Sequence, residues 1–331
     1  MPERPDSRNT IGVVVIGRNE GARLEQCLRS VAQLASTIVY VDSGSTDGSV
    51  ALARTLGAAV VALNLDTPFT AGHARNAGFH HLLQLAPGLR HVQFVDGDCE
   101  VVPGWLEQAS RFLDENPGFA ATCGRRRERH PDRSPYNALC DIEWNTPVGE
   151  ARACGGDVMM RVDAFNNAGG FRPDLIAGEE PELCVRLRAA GWRIWRAAQD
   201  MTLHDAAMLR FGQWWRRTLR CGHAFAEGAE LHGAAPELHW VQESRRAWMW
   251  GLGIPLLALA VAAVWSTWGL LLLLIYPLQV MRLALREKPP APGHWRRAGF
   301  LVLGKFPEML GQLKFLAHRW TSSRPRLIEY K

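Results

Sequence analysis

Short apolar runs alternate with amphipathic stretches over the first hundred residues. Ile11–Ile16 is a β-branched apolar run and predicts a buried strand. Gly21–Leu34 sets Leu24, Cys27, Leu28 and Val31 on one face and predicts a helix. Thr37–Val41 predicts a second strand, closed by the polar stretch Asp42–Ser49. A helix over Gly48–Leu56, a strand over Ala59–Ala62, a helix over Ala71–Leu85 and a strand over His91–Val95 follow. Strand and helix alternating at this spacing imply right-handed βαβ units, hence an α/β domain on a mainly parallel sheet. Ligands of such sheets sit at the carboxyl ends of the strands. That rule gathers three polar clusters on one rim: Gly17–Glu20, Asp42–Asp47 and Asp96-Gly97-Asp98.

Farther along, Trp105–Leu113 predicts a helix after Pro103-Gly104. The run Gly124–His130 is highly charged and reads as a solvated loop. Residues 131–153 carry weak signals and read as a loop-rich acceptor region. Gly155-Gly156-Asp157 leads into an apolar stretch, and Gly169-Gly170-Phe171 closes a short helix. Glu179–Ala190 reads as an amphipathic helix and Trp192–Ala197 as a strand. Phe211–Glu227 is aromatic and basic, which suits a membrane surface.

From Ala247 to Met281 there is no Asp, Glu, Lys or Arg, while Arg245, Arg246, Arg282 and Arg286 flank the run. One membrane span takes about 20 residues, so this run suits two tight spans turning at Ser266–Gly269. Basic flanks on both sides put both ends in the cytoplasm. A buried core hairpin is the alternative. Ala298–His318 spaces Phe300, Leu303, Met309, Leu310, Leu313 and Leu316 around Lys305 and Lys314. This is the pattern of an interfacial helix broken near Pro307, or of a protein docking surface. The expected organisation is a polar tail 1–9, an α/β domain 10–230 (halves 10–100 and 101–230), a linker 231–246, a transmembrane hairpin 247–281 and a basic amphipathic tail 282–331.

Charge sharpens this picture. Residues 282–331 hold eleven Lys/Arg and three Asp/Glu, which leaves about −3 on the rest of a chain whose formal charge is +5. A basic segment after a membrane hairpin points to anionic lipid headgroups. Nothing resembles a recognition helix or an aromatic stacking sheet, so nucleic acid is not an expected partner. The seven cysteines include no C-x-x-C pair and imply reduced thiols in the cytosol. The polar start lacks a secretory signal, which puts the catalytic part on the cytosolic face.

The chemistry lies in five motifs. Asp96-Gly97-Asp98 follows a strand; two carboxylates pointing the same way could hold a hard divalent cation, or the three residues could form a solvated turn. With Val15-Ile16-Gly17-Arg18-Asn19-Glu20, Val41-Asp42-Ser43-Gly44-Ser45-Thr46-Asp47-Gly48-Ser49, Gly72–Gly78 and Gly178-Glu179-Glu180-Pro181-Glu182-Leu183, this chain resembles the family 2 glycosyltransferases of the GT-A fold over roughly residues 10–230. The order of the motifs is the family's.

The resemblance implies an inverting, metal-dependent enzyme that moves one sugar from a nucleotide-sugar, UDP being the family's commonest nucleotide, to a hydroxyl. It implies Mg²⁺ or Mn²⁺ as cofactor, and a cation there neutralises the departing diphosphate. Asp98 is implied as metal ligand, with Asp96 on the donor side and also near the metal. His204 is either a further ligand or a structural strand-end histidine. Ile16, Arg18 and Glu20 fall beside the donor and Asp42 reads the nucleobase, while Asp47 could cap a helix. Arg75 braces the aspartate loops or contacts the donor. The resemblance makes 10–100 the donor half and 101–230 the acceptor half; Gly155 and Gly156 allow close approach or mark only a bulge, and Asp157 bonds a sugar hydroxyl. Glu180 stands at the family's base position, usually Asp, with Glu179 as the alternative; acidic residues also suit a helix N-terminus.

Membrane tethering implies a lipid-linked or glycan acceptor and a place at a bacterial inner membrane, in polysaccharide or cell-envelope synthesis. Processive synthases of the family carry Gln-x-x-Arg-Trp; here Gln213-Trp214-Trp215-Arg216-Arg217 lacks the final Trp, which favours a single transfer at this membrane-side acceptor region. A catalytically silent nucleotide- or glycan-binding module is the rival from another class.

Overall fold

The computed structural model describes residues 10–32, 34–64, 70–286 and 293–321. The polar segment 1–9 and residues 287–292 and 322–331 of the basic tail lie outside the described residues. The chain divides into two units: residues 1–175 with 179–209, and residues 176–178 with 210–331. The first unit therefore closes earlier than the expected boundary at 230.

The first unit is a mixed sheet covered on both faces. Its strands are β1 (Ile11–Gly17), β2 (Thr37–Asp42), β3 (Ala59–Ala62), β4 (His91–Asp96), β5 (Cys99–Val101), β6 (Phe119–Glu128), β7 (Gly149–Glu150), β8 (Val158–Arg161) and β9 (Arg193–His204). The order is β3-β2-β1-β4-β8-β6-β9-β5, with β7 on β9. The helices are α1 (Ala22–Val31), α2 (Ser49–Thr55), α3 (Ala71–Leu85), α4 (Trp105–Glu115), α5 (Pro135–Glu143), α6 (Val162–Asn167) and α7 (Glu179–Ala189).

β3, β2, β1 and β4 are all parallel, as the βαβ spacing predicts. The second half mixes directions: β6 and β9 run parallel, while β8 is antiparallel to β4 and β6, and β5 to β9. β1 is buried on both faces. Val13 and Val15 join α1 and α4 in one core layer, and Val14 joins α3 and α7 in the other. Phe79, Phe94, Phe165 and Phe171 form an aromatic cluster in the second layer, with neighbouring centroids 4.5–5.2 Å apart. Gly78 lets α3 lie close on the sheet, since a Cβ there would stand 2.4 Å from Val14 and 2.8 Å from Val41.

Three sequence expectations need correction. Gly124–His130 is not a solvated loop: most of it belongs to β6, which pairs with β9 through backbone bonds that its arginines do not disturb. Residues 131–153 include α5, started by Ser134, whose hydroxyl accepts from the Asn137 amide, and by Pro135 in the first turn. The strand expected over Trp192–Ala197 continues to His204, past a polar stretch that apolar patterning did not reveal.

The second unit is helical: α8 (Phe211–His232), α9 (Val241–Trp248), α10 (Ile254–Val264), α11 (Ile275–Arg286), α12 (His294–Leu303) and α13 (Lys305–Trp320). α8 and α13 cross closely because Gly222 and Gly311 face backbone, each 2.0 Å from a carbonyl oxygen at the position a Cβ would take. Val241–Val264 and Thr267–Arg286 are long and apolar enough to cross a membrane, and only 17% and 11% of their apolar windows are buried in the chain. The break between them is at Trp265-Ser266, slightly before the expected turn. The amphipathic tail breaks at Gly304 instead of Pro307, because proline is tolerated in the first turn of α13.

Candidate active site

Sheet register assembles the rim. Ile16 pairs with Asp96 and Gly17 with Asp42, so the ends of β4, β1 and β2 stand level. The loops lock together: the Gly97 amide donates to the Ile16 carbonyl at 2.8 Å, and Asn19 Oδ1 accepts from the Thr46 amide at 2.7 Å. Asp42 is buried and accepts from the Tyr40 hydroxyl and the Gly44 and Ser45 amides at 2.9–3.0 Å. The turn thereby fills three of its four lone-pair positions. Arg18 is exposed on the rim, and Glu20 pairs with Arg23 at 2.7 Å. Asp47 accepts from the Ser49 amide at the start of α2, a local capping bond.

Asp96-Gly97-Asp98 forms a turn, but not a solvated one. The chain bends at Gly97-Asp98, so the two carboxylates do not stay in extended register. Asp96 turns to two guanidinium groups: Arg75 Nη2 at 2.7 Å and Arg126 Nη2 at 3.3 Å. Burial works to raise the Asp96 carboxyl, but Arg75 and Arg126 outweigh it and hold it well below the usual carboxylate range. Arg75 itself is buried and also grips Glu179 Oε1 at 2.6 Å. It thus joins the Asp96 turn to the start of the helix that carries Glu179.

Asp157 departs from its expected role. Its side chain is fully buried, and its oxygens accept from the Asp96 amide at 3.0 Å, Thr202 Oγ1 at 2.8 Å and Arg126 at 2.9 Å. It supports the Asp96 loop and has no exposed oxygen to offer a sugar hydroxyl. Gly156 packs under the same group. A Cβ there would lie 2.6 Å from Arg75 Nη2 and 3.2 Å from Asp96 Oδ2. Gly156→Ala is therefore expected to push Arg75 off Asp96 and to destabilise the fold by about 1–3 kcal/mol, as overpacking does; a lower denaturant midpoint at unchanged slope is the measurement. Gly155, at φ 111, stands in open space and suits glycine through its backbone alone.

Asp98 points elsewhere, toward His204. Asp98 Oδ2 and His204 Nε2 are 3.4 Å apart, and both side chains are less than a tenth exposed. Adjacent ligands of an octahedral ion with bonds of about 2.1 Å stand ~3 Å apart, so this oxygen and nitrogen fit a shared Mg²⁺ or Mn²⁺. Cys99 lies within reach of both, and its thiol donates to Asp98 Oδ1 at 3.6 Å. Of the three expected metal residues, Asp98 and His204 come together, and Asp96 sits beside them held by arginine.

Glu179 and Glu180 open α7. The Glu180 carboxylate is 2% exposed. It accepts from the Cys154 and Gly155 amides, each at 2.8 Å, and from the Cys184 thiol at 2.9 Å. Burial raises its carboxyl above the ordinary range, a shift that these bonds partly offset. Gln213 and Trp214 serve the helical unit: Gln213 Oε1 accepts from the Arg210 amide at the start of α8, and Trp214 is buried against Phe300 at 4.8 Å. Arg216 and Arg217 lie on the same helix.

Sequence reasoning missed Arg126, Glu128, Asn137 and Trp144. Trp144 stands 4.7 Å from the His204 ring, edge to face, and Arg126 lies over its face at 5.5 Å. The signal available was alternation: Arg126 and Glu128 are two apart, as strand neighbours on one face are.

Residues 12–169 match the family described as Glycosyl transferase family 2. The chain is 30% identical over 206 residues to the uncharacterised protein MT1568 of Mycobacterium tuberculosis, covering 54% of this chain and 61% of that one. It is 25% identical over 198 residues to the succinoglycan biosynthesis protein ExoA of Rhizobium meliloti, covering 55% and 59%. The chain thus spans about three-fifths of the length of these two relatives. Among solved structures, the mannosyltransferase PcManGT from Pyrobaculum calidifontis, in complex with GDP-Man and Mn²⁺, superposes with a TM-score of 0.61 at 20% identity, covering 92% of this chain and 87% of that one. The sheet is a GT-A fold.

Proposed function

We propose that this chain, which carries a glycosyl transferase family 2 domain on a GT-A sheet, transfers one sugar from a nucleotide-sugar to an acceptor hydroxyl with inversion. The observation that carries the reading is the buried Asp98–His204 pair, 3.4 Å apart, next to Asp96 on the strand-end rim. When bound there, Mg²⁺ or Mn²⁺ supplies positive charge against the diphosphate as it departs. Asp98 and His204 would hold it. Asp96, held by Arg75 and Arg126, is the anion that accepts from the donor's ribose or sugar hydroxyls. Glu180 takes the acceptor's proton during a single in-line displacement.

Two long apolar helices with exposed faces support a membrane hairpin, with Arg245, Arg246, Arg282 and Arg286 at its cytoplasmic ends. The acceptor is then a lipid-linked sugar or a glycan presented at the membrane. Because Gln213-Trp214-Trp215-Arg216-Arg217 lacks the processive motif's last residue, one sugar is added per encounter.

A thermal-shift screen of UDP- and GDP-sugars, each with and without Mn²⁺, tests the reading. A ligand that binds only the folded state at 100 times its Kd stabilises by about 2.7 kcal/mol. The expected result is a stabilisation by one donor that requires Mn²⁺. No donor raising the transition with Mn²⁺ present is the outcome that sinks it.

A further inference from the structure

β9 carries its last residue, His204, between two neighbours: Cys99 of β5 on one side and Glu128 of β6 on the other. Asp98, next to Cys99, faces His204 Nε2. Glu128 Oε2 faces His204 Nδ1 at 3.7 Å. The three side chains form a row across the sheet end, with the imidazole in the middle.

Glu128 is a buried carboxylate whose side chain has no exposure. Oε1 accepts from the His130 amide and Asn137 Nδ2, each at 3.0 Å, and Oε2 accepts from the Ala206 amide at 3.0 Å. All three donors are neutral. A carboxylate offers about four lone-pair positions, and the one left over is the one toward the imidazole. Nδ1 of His204 is itself buried with no hydrogen-bond partner among the described residues. A buried anion held only by neutral amides is costly unless a cation or polarised donor completes it. A buried, unpartnered ring nitrogen is costly for the same reason. Each group supplies what the other lacks.

We propose that Glu128 is a positioning residue: it fixes the proton of His204 on Nδ1 and so leaves the Nε2 lone pair aimed at the space shared with Asp98. At 3.7 Å this is a charge contact and not yet a hydrogen bond. A ring that moves toward Glu128 by less than 1 Å completes it. Asn137 extends the arrangement. Its amide holds Glu128 and the His130 carbonyl, and its oxygen accepts from the Met208 amide, which ties α5 to the chain just after His204. Outer carboxylates of this kind orient a metal-binding histidine, and losing one weakens metal affinity by about 10- to 100-fold.

The inference rests on the metal reading above, so the test separates the two. Nitrogen-15 spectra of the full chain labelled at histidine, with His204→Gln to assign the signal, report the tautomer without altering Glu128. The expected spectrum has Nδ1 protonated and Nε2 bare, and only Nε2 responds to Mg²⁺. An Nε2-protonated ring overturns the proposal.

Mn²⁺ affinity, read by electron paramagnetic resonance on the full chain, gives the second arm. Glu128→Gln is expected to weaken Mn²⁺ by about 10- to 100-fold. Combined with His204→Gln, it is expected to add nothing beyond the histidine change, because it acts through that ring. Additive losses, or unaltered affinity in Glu128→Gln, overturn the inference alone. Absence of Mn²⁺ binding by the unaltered protein overturns the metal reading and this inference with it. Should Glu128→Gln not fold, the tautomer measurement on the unaltered chain still decides.

Discussion

Asp98→Asn should lower the transfer rate about a thousand-fold at saturating Mn²⁺. A bound cation stabilises transition-state charge by several kcal/mol, and each 1.36 kcal/mol is tenfold in rate, so the loss of ~4 kcal/mol is the expected scale. The substitution is isosteric and removes one anionic oxygen beside His204 Nε2, 3.4 Å away. The carboxylate is buried, so its charge is screened little by solvent and contributes fully to holding a cation. The measurement pairs initial rates with Mn²⁺ affinity. Both are expected to fall while the circular dichroism spectrum is unchanged. A fast Asp98→Asn enzyme would show that the diphosphate is neutralised by other groups, Arg126 first among them.

Glu180→Gln should cost about 10² to 10⁴ in kcat, the usual contribution of a positioned general base. The base acts as an anion, so rate is lost as pH falls through its pKa. Burial raises the Glu180 carboxyl, ahead of the opposing hydrogen bonds from Cys184, Cys154 and Gly155. The acid limb of kcat/KM is therefore expected above the ordinary glutamate value of about 4.3. Glu180→Gln should flatten that limb. Glu180→Asp keeps the anion and should keep the limb at a reduced rate. Glu179→Gln is the contrast: it loosens the grip of Arg75, so it should lower stability and leave the acid limb in place. A limb that follows Glu179 and ignores Glu180 would reverse the assignment.

Much of the donor half was legible in the chain because its elements are local. The first four strands and the helices between them have apolar periods that need no distant partner to specify them. Their parallel order then puts Gly17–Glu20, Asp42–Asp47 and Asp96 on one rim, as register confirms at Ile16–Asp96 and Gly17–Asp42. The second half was less legible. The arginines of β6 look solvated in one dimension, yet Arg126 reaches Asp157 and Asp96 and lies over Trp144 in three. Asp157 looks free to bind a ligand until the Asp96 amide and Thr202 are seen to occupy it.

By itself the amino-acid order determined the βαβ alternation, the acidic rim, the charge-free 247–281 run and the candidate bases at the start of α7. Each depends on a period of a few residues or on a contiguous composition. The tertiary structure alone decided which carboxylate meets which cation. Asp96 and Asp98 are two residues apart, but one turn sends the first to Arg75 and Arg126 and the second to His204. The partners come from β6, β9 and α3, and only the register of those strands and the close packing of α3 at Gly78 bring them within ~3 Å, where charge in a buried site acts most strongly.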